Sequence, residues 1–415
     1  MALRILHTAD WHLGQTFYEY DRSYEHQCFL NRLIDILYEK AVDVLLVSGD
    51  VFDVANPSTA ASKMYYRFLY EATSRMPGLQ IVIIAGNHDS PGRLEAPGDL
   101  LEAFHIRVIG HIEYDADRAL QYDKLLVPLI NKQGIQAGWC LAVPFIRLGD
   151  YPQTDPPLTY EQGIASLYHE VYDYALTLKQ PDEFVIAMGH LLSMGAESTP
   201  DDRSERPIMG GLEVVPSQAF DSGILYTALG HIHKAQCMDR ERNIWYSGSP
   251  LPMSFSELNY HHRVLMVDID DDHRVATTAE EIPATVTLLR IPAKPLRLQE
   301  VLPLLYALPD ASGDPKTAPY LEVLVSITEP EPSLKTLIEN AVKDKQVRLA
   351  RITPVYPQNN RPESPQLKAD ELQDIQPLDI FKKRYLELFH TDIPDDLVKL
   401  FNEVTEEVHQ KEAAQ

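Results

Sequence analysis

From the N-terminus to about residue 275, short apolar runs alternate with amphipathic segments. The runs at 3–7, 42–47, 80–85, 183–188 and 224–229 are rich in Val, Ile and Leu, the composition of strands buried on both faces. Between them, Phe29, Leu30, Leu33, Ile34 and Leu37 recur at helical spacing, as do Met64, Phe68 and Leu69, and residues 167–178 form another helical stretch. This alternation predicts an α/β fold. Apolar runs near Trp245 and over 264–269 predict strands of a second, more antiparallel sheet, with a solvated turn at Asp270-Asp271-Asp272.

Near residue 280 the texture changes. Prolines punctuate the chain, and strand-like segments at 287–291, 321–327 and 347–352 alternate with helix-like ones at 298–308 and 334–342. These predict a small second domain over 280–356, after a first domain over 1–279. Residues 357–377 are polar and proline-rich and read as a linker. Two amphipathic helices follow over 378–415: Leu378, Phe381, Tyr385, Leu388 and Phe389 share one face, and Leu397, Leu400, Phe401, Val404 and Val408 share another.

The length of 415 residues suits two or three domains, and 45% hydrophobic with 24% charged residues excludes a wholly disordered chain. No apolar run approaches the roughly 18 residues that cross a bilayer, and polar residues with Asp10 interrupt the N-terminus before a leader core could form. The expectation is a cytoplasmic protein that uses no membrane. Cys28, Cys140 and Cys237 are odd in number and far apart, neither a disulfide framework nor a thiolate metal site. The net charge of −24 argues by itself against nucleic acid, because phosphate binding uses Lys and Arg. Bound cations or a basic partner would reverse that argument.

The chemistry lies where the five strand-like runs end: in Asp10-Trp11-His12, Gly49-Asp50-Val51-Phe52-Asp53, Gly86-Asn87-His88-Asp89, Gly189-His190, and Gly230-His231-Ile232-His233. Carboxyl ends of strands are where α/β sheets build sites. Carboxylate, imidazole and amide donors without thiolate suit Mn²⁺, Fe²⁺ or Zn²⁺, whereas Mg²⁺ and Ca²⁺ prefer oxygen shells. Asp10, His12, Asp50, Asn87, His190, His231 and His233 are too many donors for one ion with an open position. They fit two ions about 3.5–4 Å apart, with Asp50 the natural bridge because a carboxylate has two oxygens to share. Among the remaining histidines, His7 and His26 are candidates only for supporting the ligands.

These five motifs resemble those of the calcineurin-like metallophosphoesterases. Thr8-Ala9-Asp10-Trp11-His12-Leu13-Gly14-Gln15, Glu25-His26-Gln27, Ser204-Glu205-Arg206-Pro207, Gly210-Gly211-Leu212-Glu213, Ala228-Leu229-Gly230-His231-Ile232-His233 and Tyr246-Ser247-Gly248-Ser249-Pro250 narrow the resemblance to the SbcD family, the nuclease subunits of bacterial SbcCD complexes. The resemblance implies a four-layer αββα sandwich, a small α/β capping domain that binds DNA, and C-terminal helices that dock on an SMC-like ATPase, SbcC. It implies a Mn²⁺-dependent nuclease of DNA end processing, repair and recombination, exonucleolytic on duplexes and endonucleolytic on single strands and hairpins. Mg²⁺, Fe²⁺ and Zn²⁺ are alternative metals. One ion would be held by Asp10, His12, Asp50 and His233, the other by Asp50, Asn87, His190 and His231. His88 would contact the scissile phosphate, oriented by Asp89, and water would attack directly without a covalent enzyme intermediate. The resemblance also implies a homodimer within a heterotetramer, formed through helices of the nuclease domain; Tyr65, Phe68 and Leu69 form a helical apolar patch that could serve there or equally be core. Archaeal and eukaryotic relatives carry histidine where this chain has Asp53, so a second phosphate-contacting histidine does not carry over. The alternative reading is a phosphoesterase for small or protein phosphoesters. Phosphoprotein phosphatases carry Arg-Gly just after the second motif, and this chain has Val54-Ala55-Asn56-Pro57 there. An inactive scaffold is disfavoured because every ligand position is filled.

Overall fold

The computed structural model describes residues 2–356, apart from 118, 153, 198–213 and 329–330, together with isolated residues between 378 and 401. The chain divides into two compact units, residues 1–289 with 313–320, and residues 290–312 with 321–415.

The first unit is built on two six-stranded sheets. In the first, the strands run in the order Val275–Glu281, Arg263–Ile269, Leu3–Thr8, Val44–Ser48, Gln80–Ile84 and Ile106–Ile109. The last four of these are parallel, and Arg263–Ile269 is antiparallel to both its neighbours. In the second sheet the order is Gln236–Asp239, Ile244–Tyr246, Ile224–Gly230, Phe184–His190, Gln136–Ala142 and Leu126–Ile130. Its four inner strands are parallel and its two edge strands antiparallel.

Period-two alternation sends side chains to opposite faces of the first sheet. Leu45, Val47, Ile81 and Ile83 pack with Leu33, Leu37, Phe68 and Leu69 of the helices Ser23–Glu39 and Thr59–Arg75. Val44, Leu46, Val82 and Ile84 face the second sheet, in a core that also takes in Ile164, Leu167 and Val171 of the helix Tyr160–Leu178. The result is a four-layer αββα sandwich. Ser58 caps the second helix through its hydroxyl, and Thr159 with Gln162 forms a capping box on the third.

Three expectations change. The Trp245 strand is parallel to its inner neighbour in the second sheet, and the strand over 264–269 lies in the first sheet beside Leu3–Thr8; apolar runs do not state which sheet they join. Tyr65, Phe68 and Leu69 are core, 0–2% exposed, so they offer no surface for a second copy. The break between units falls after Leu289, later than the change in texture, because Ile282 still packs in the core of the first unit.

The second unit contains a three-stranded sheet in the order Leu288–Arg297, Tyr320–Ser326, Arg348–Val355, with helices Leu298–Tyr306 and Leu334–Val342. Val301, Leu305, Leu321, Val323, Val325 and Ile338 are buried. Glu322, also buried, accepts hydrogen bonds from Arg290 Nε at 2.6 Å and Thr353 Oγ1 at 2.8 Å. The linker expected over 357–377 lies outside the described residues, and so does most of 378–415. Among the residues described there, Phe381 and Phe401 stack with ring centroids 4.7 Å apart. Among the described residues, no helix is long and apolar enough to cross a membrane.

Candidate metal centre

Five strands from the two sheets deliver the polar side chains to one place. After Leu3–Thr8 the chain runs alongside the segment that follows Val44–Ser48: Asp10, His12 and Leu13 N–H groups donate to the carbonyls of Gly49, Asp50 and Val51 at 2.9–3.0 Å. Trp11, fully buried, packs edge-on against Phe29 and Phe68 and anchors this loop. Asp10, His12, Asp50 and His231 all have positive φ, between 45° and 99°, a strained conformation that clusters at functional sites. Gly49 (φ +89°) and Gly86 leave space that the site uses: a Cβ would lie 2.3 Å from His190 Nδ1 at the first and 2.1 Å from Asp50 Oδ1 at the second.

Asp50 is central. Its Oδ1 accepts the His88 N–H at 2.9 Å, and its Oδ2 lies 3.4 Å from His190 Nε2 and 3.7 Å from His12 Nε2. Burial pushes this carboxyl up, but the imidazoles of His190, His12 and His88 outweigh burial and hold it well below the usual carboxylate range. Burial pulls His190 down, while Asp50 and Asp10 more than offset it and raise it to about 9. Burial raises Asp10 and lowers His231 to about 3. Asn87 Oδ1 lies 2.9 Å from His190 Nε2 and 3.1 Å from His231 Nδ1. Asp10 accepts the His231 N–H at 3.0 Å, and the His12 and His233 rings are 5.2 Å apart. The structure thus brings together all seven donors expected from the sequence.

These residues fit divalent metal. Three groups have ligand atoms within 4.8 Å of one another: Asp10, His12 and His233; His12, Asp50 and His88; Asp10, Asp50 and His190. Both ring nitrogens of His12 and the Nε2 of His88 are buried without a hydrogen-bond partner among the described residues, which is costly unless another group fills the gap. His190 donates Nδ1–H to the Ser48 carbonyl at 2.9 Å, the arrangement that leaves the other ring nitrogen of a metal-binding histidine toward the ion.

Residues 3–235 match the family model of the calcineurin-like phosphoesterases. The chain is 36% identical to SbcD of the SbcCD nuclease of Rhodobacter capsulatus, over 87% of this chain and 89% of that one. This chain belongs to the SbcD family. It is 30% identical to the Bacillus subtilis member over 99% of this chain and 100% of that one, and 32% identical to the Escherichia coli member over 68% and 69%. Residues 284–388 match a second model, described as the type 5 capsule protein repressor C-terminal domain. The chain is therefore a phosphoesterase-fold hydrolase of the SbcD nuclease type.

In this SbcD-family chain, one expected role is corrected. Asp89 does not orient His88. Its carboxylate accepts the N–H groups of Gly86 (2.9 Å), Phe52 (2.9 Å) and Val51 (3.2 Å), tying two site loops together. Burial, then the Asp50 charge, push it up to about 6 against those three donors. The His88 ring instead donates Nδ1–H to the main-chain carbonyl of Asp53 at 2.7 Å. Replacing Asp89 with alanine orphans three buried donors and is expected to cost about 2–5 kcal/mol of stability. Urea unfolding of the metal-free variant measures this, and Asp89→Asn, which keeps an acceptor oxygen, is expected to recover part of it.

Three contributors were not assigned a role from the sequence. The Ser48 carbonyl holds His190, and main-chain groups leave no side-chain signature. Buried Glu257 lies 3.8 Å from His233 Nδ1 and 3.9 Å from His262 Nε2, and nothing distinguishes it among the chain's many acids. Asp53, visible only as a departure from relatives, has Oδ1 3.4 Å from His12 Nδ1. His7 and His26 are buried, both lowered to about 3, chiefly by burial. His7 Nδ1 pairs with the Tyr226 hydroxyl at 2.9 Å, and neither histidine falls in a group of potential metal ligands.

Proposed function

We propose that this chain is the Mn²⁺-dependent nuclease component of a cytoplasmic DNA end-processing complex, cutting duplex ends exonucleolytically and hairpins or single strands endonucleolytically. The observation that carries the reading is the clustering of seven oxygen and nitrogen donor residues, Asp50 among them, in a chain that aligns end to end with an SbcD nuclease. Asp10, His12, Asp50 and His233 would hold one ion, and Asp50, Asn87, His190 and His231 the other. Bound by these residues, divalent metal would supply charge neutralisation for a phosphodiester and a lowered pKa for water.

The protein's own groups do the rest. A carbonyl only accepts, so the Asp53 carbonyl fixes the His88 proton on Nδ1 and leaves Nε2 as the atom that can meet a phosphate oxygen. The Asp89 ties keep the Asn87–His88 loop against the Val51–Phe52 segment, and the Asp53 carbonyl keeps the His88 ring placed on it. The acidic chain then works with an SMC-like ATPase, SbcC, that contributes basic surface for DNA, as a homodimer within a heterotetramer.

Cleavage of a labelled hairpin duplex in Mn²⁺, with and without chelator, tests the reading. Metal-dependent cutting is expected. No cutting even with the ATPase present would move the assignment to small phosphoesters. A truncation ending near Pro377 is expected to keep Mn²⁺-dependent cutting and to lose ATPase binding in a pull-down. Retained binding would remove the terminal helices from the docking role.

A further inference from the structure

His12 is fully buried and has no hydrogen-bond partner on either ring nitrogen among the described residues. Its Nε2 faces Asp50 Oδ2, and its Nδ1 lies 3.4 Å from Asp53 Oδ1. Water cannot reach Nδ1, so a buried N–H there has the Asp53 carboxylate as its acceptor or stays unpaired, which is costly. Asp53 is also fixed in place: its N–H points to the Leu13 carbonyl at 3.4 Å, beside the Leu13–Phe52 bridge that joins the two loops. Unlike Asp10 and Asp50, it belongs to none of the three potential metal-binding groups. Its main-chain carbonyl meanwhile takes the Nδ1–H of His88, whose ring packs edge-on against His12 with centroids 4.8 Å apart.

We propose that Asp53 is a positioning residue that sets the tautomer of two histidines at once, His12 through its carboxylate and His88 through its carbonyl, so that both rings turn Nε2 toward the centre. This rests on the metal-centre reading above. It assigns to this carboxylate no contact with metal or phosphate. A carboxylate behind a metal-binding imidazole fixes the ring and raises its basicity, and losing such a partner typically weakens metal binding about 10–100-fold.

The test is calorimetric titration of the metal-free full-length protein with Mn²⁺. Wild type is expected to bind two ions. Asp53→Ala and Asp53→Ser are each expected to weaken one site about 10–100-fold and leave the other within a few-fold, while Asp53→Asn, which keeps an acceptor oxygen, recovers most of the loss. Nitrogen-15 histidine spectra of the metal-free proteins give a readout independent of activity. In the alanine and serine variants His12 is expected to lose its fixed Nδ1–H tautomer, while His88 keeps its own, because the carbonyl remains. Folded variants that bind both ions at wild-type affinity with an unchanged His12 spectrum would overturn the proposal. A wild-type protein that binds no Mn²⁺ would instead overturn the metal-centre reading. Two serine substitutions at distant surface positions serve as controls; equal losses in them would also defeat the assignment to Asp53.

Discussion

Replacing His88 with alanine is expected to slow hairpin cleavage about 10²–10⁴-fold with both metal ions still bound. The ring sits at the edge of the donor cluster, its Nδ1 spent on the Asp53 carbonyl and its Nε2 buried without a protein partner among the described residues. It is therefore available either to substrate or to metal, and its nitrogen does fall within one potential ligand group, with His12 and Asp50. The variant separates the two roles. Its main-chain N–H still reaches Asp50, so the loop keeps its anchor. Single-turnover cleavage at saturating Mn²⁺, with metal content measured on the same sample, gives the answer. If an ion leaves with the ring, His88 is a ligand and its assignment to the phosphate fails.

Asp50→Ala is expected to have a larger effect: loss of both ions and a fall in cleavage of at least about 10⁴-fold, more than about 5 kcal/mol of barrier. One oxygen of this carboxylate, Oδ2, lies near both His12 Nε2 and His190 Nε2, and the other, Oδ1, accepts the His88 N–H. In the proposed two-ion arrangement its removal would take a shared ligand from both sites, along with the charge that most offsets burial at His190. Asp50→Asn keeps an oxygen for the His88 N–H and is expected to fold like wild type while holding fewer ions. Metal analysis after dialysis, together with thermal melting in chelator, checks both variants. Two ions retained by Asp50→Ala would exclude a bridging role.

Much of this architecture can be read from the chain because its central strands are buried on both faces. The runs at 3–7, 80–85 and 224–229 coincide with Leu3–Thr8, Gln80–Ile84 and Ile224–Gly230 to within a residue or so, and the helix over 334–342 spans those same residues. Ile106–Ile109, Leu126–Ile130 and Val275–Glu281 are sheet edges. In Val275–Glu281 the half-exposed Thr277 and exposed Thr278 dilute the apolar signal, while Ile106–Ile109 and Leu126–Ile130 are short and are interrupted by Arg107 and Pro128. Helical spacing places Tyr65, Phe68 and Leu69 on one face, but it cannot say that this face turns inward. The donors stand out because their side chains end strands in repeated Gly-led motifs. The groups that hold them do not, because Ser48, and Asp53 toward His88, act through main-chain oxygens, and the Asp89 carboxylate ties the loops by accepting main-chain N–H groups. Such roles depend on where the backbone passes, which residue identity does not encode.

The centre has a consequence for how the chain becomes active. Asp10, His12, Asp50 and Asn87 follow strands of the first sheet, while His190, His231 and His233 follow strands of the second. Neither half of the sandwich carries a complete set. A one-residue slip of a strand would turn its side chains to the opposite face, and a misdocked pair of sheets would separate the two groups of donors. Each of the two proposed ligand sets draws donors from both sheets, so uptake of both ions is expected to require the halves in the right alignment and would serve as a readout of correct assembly.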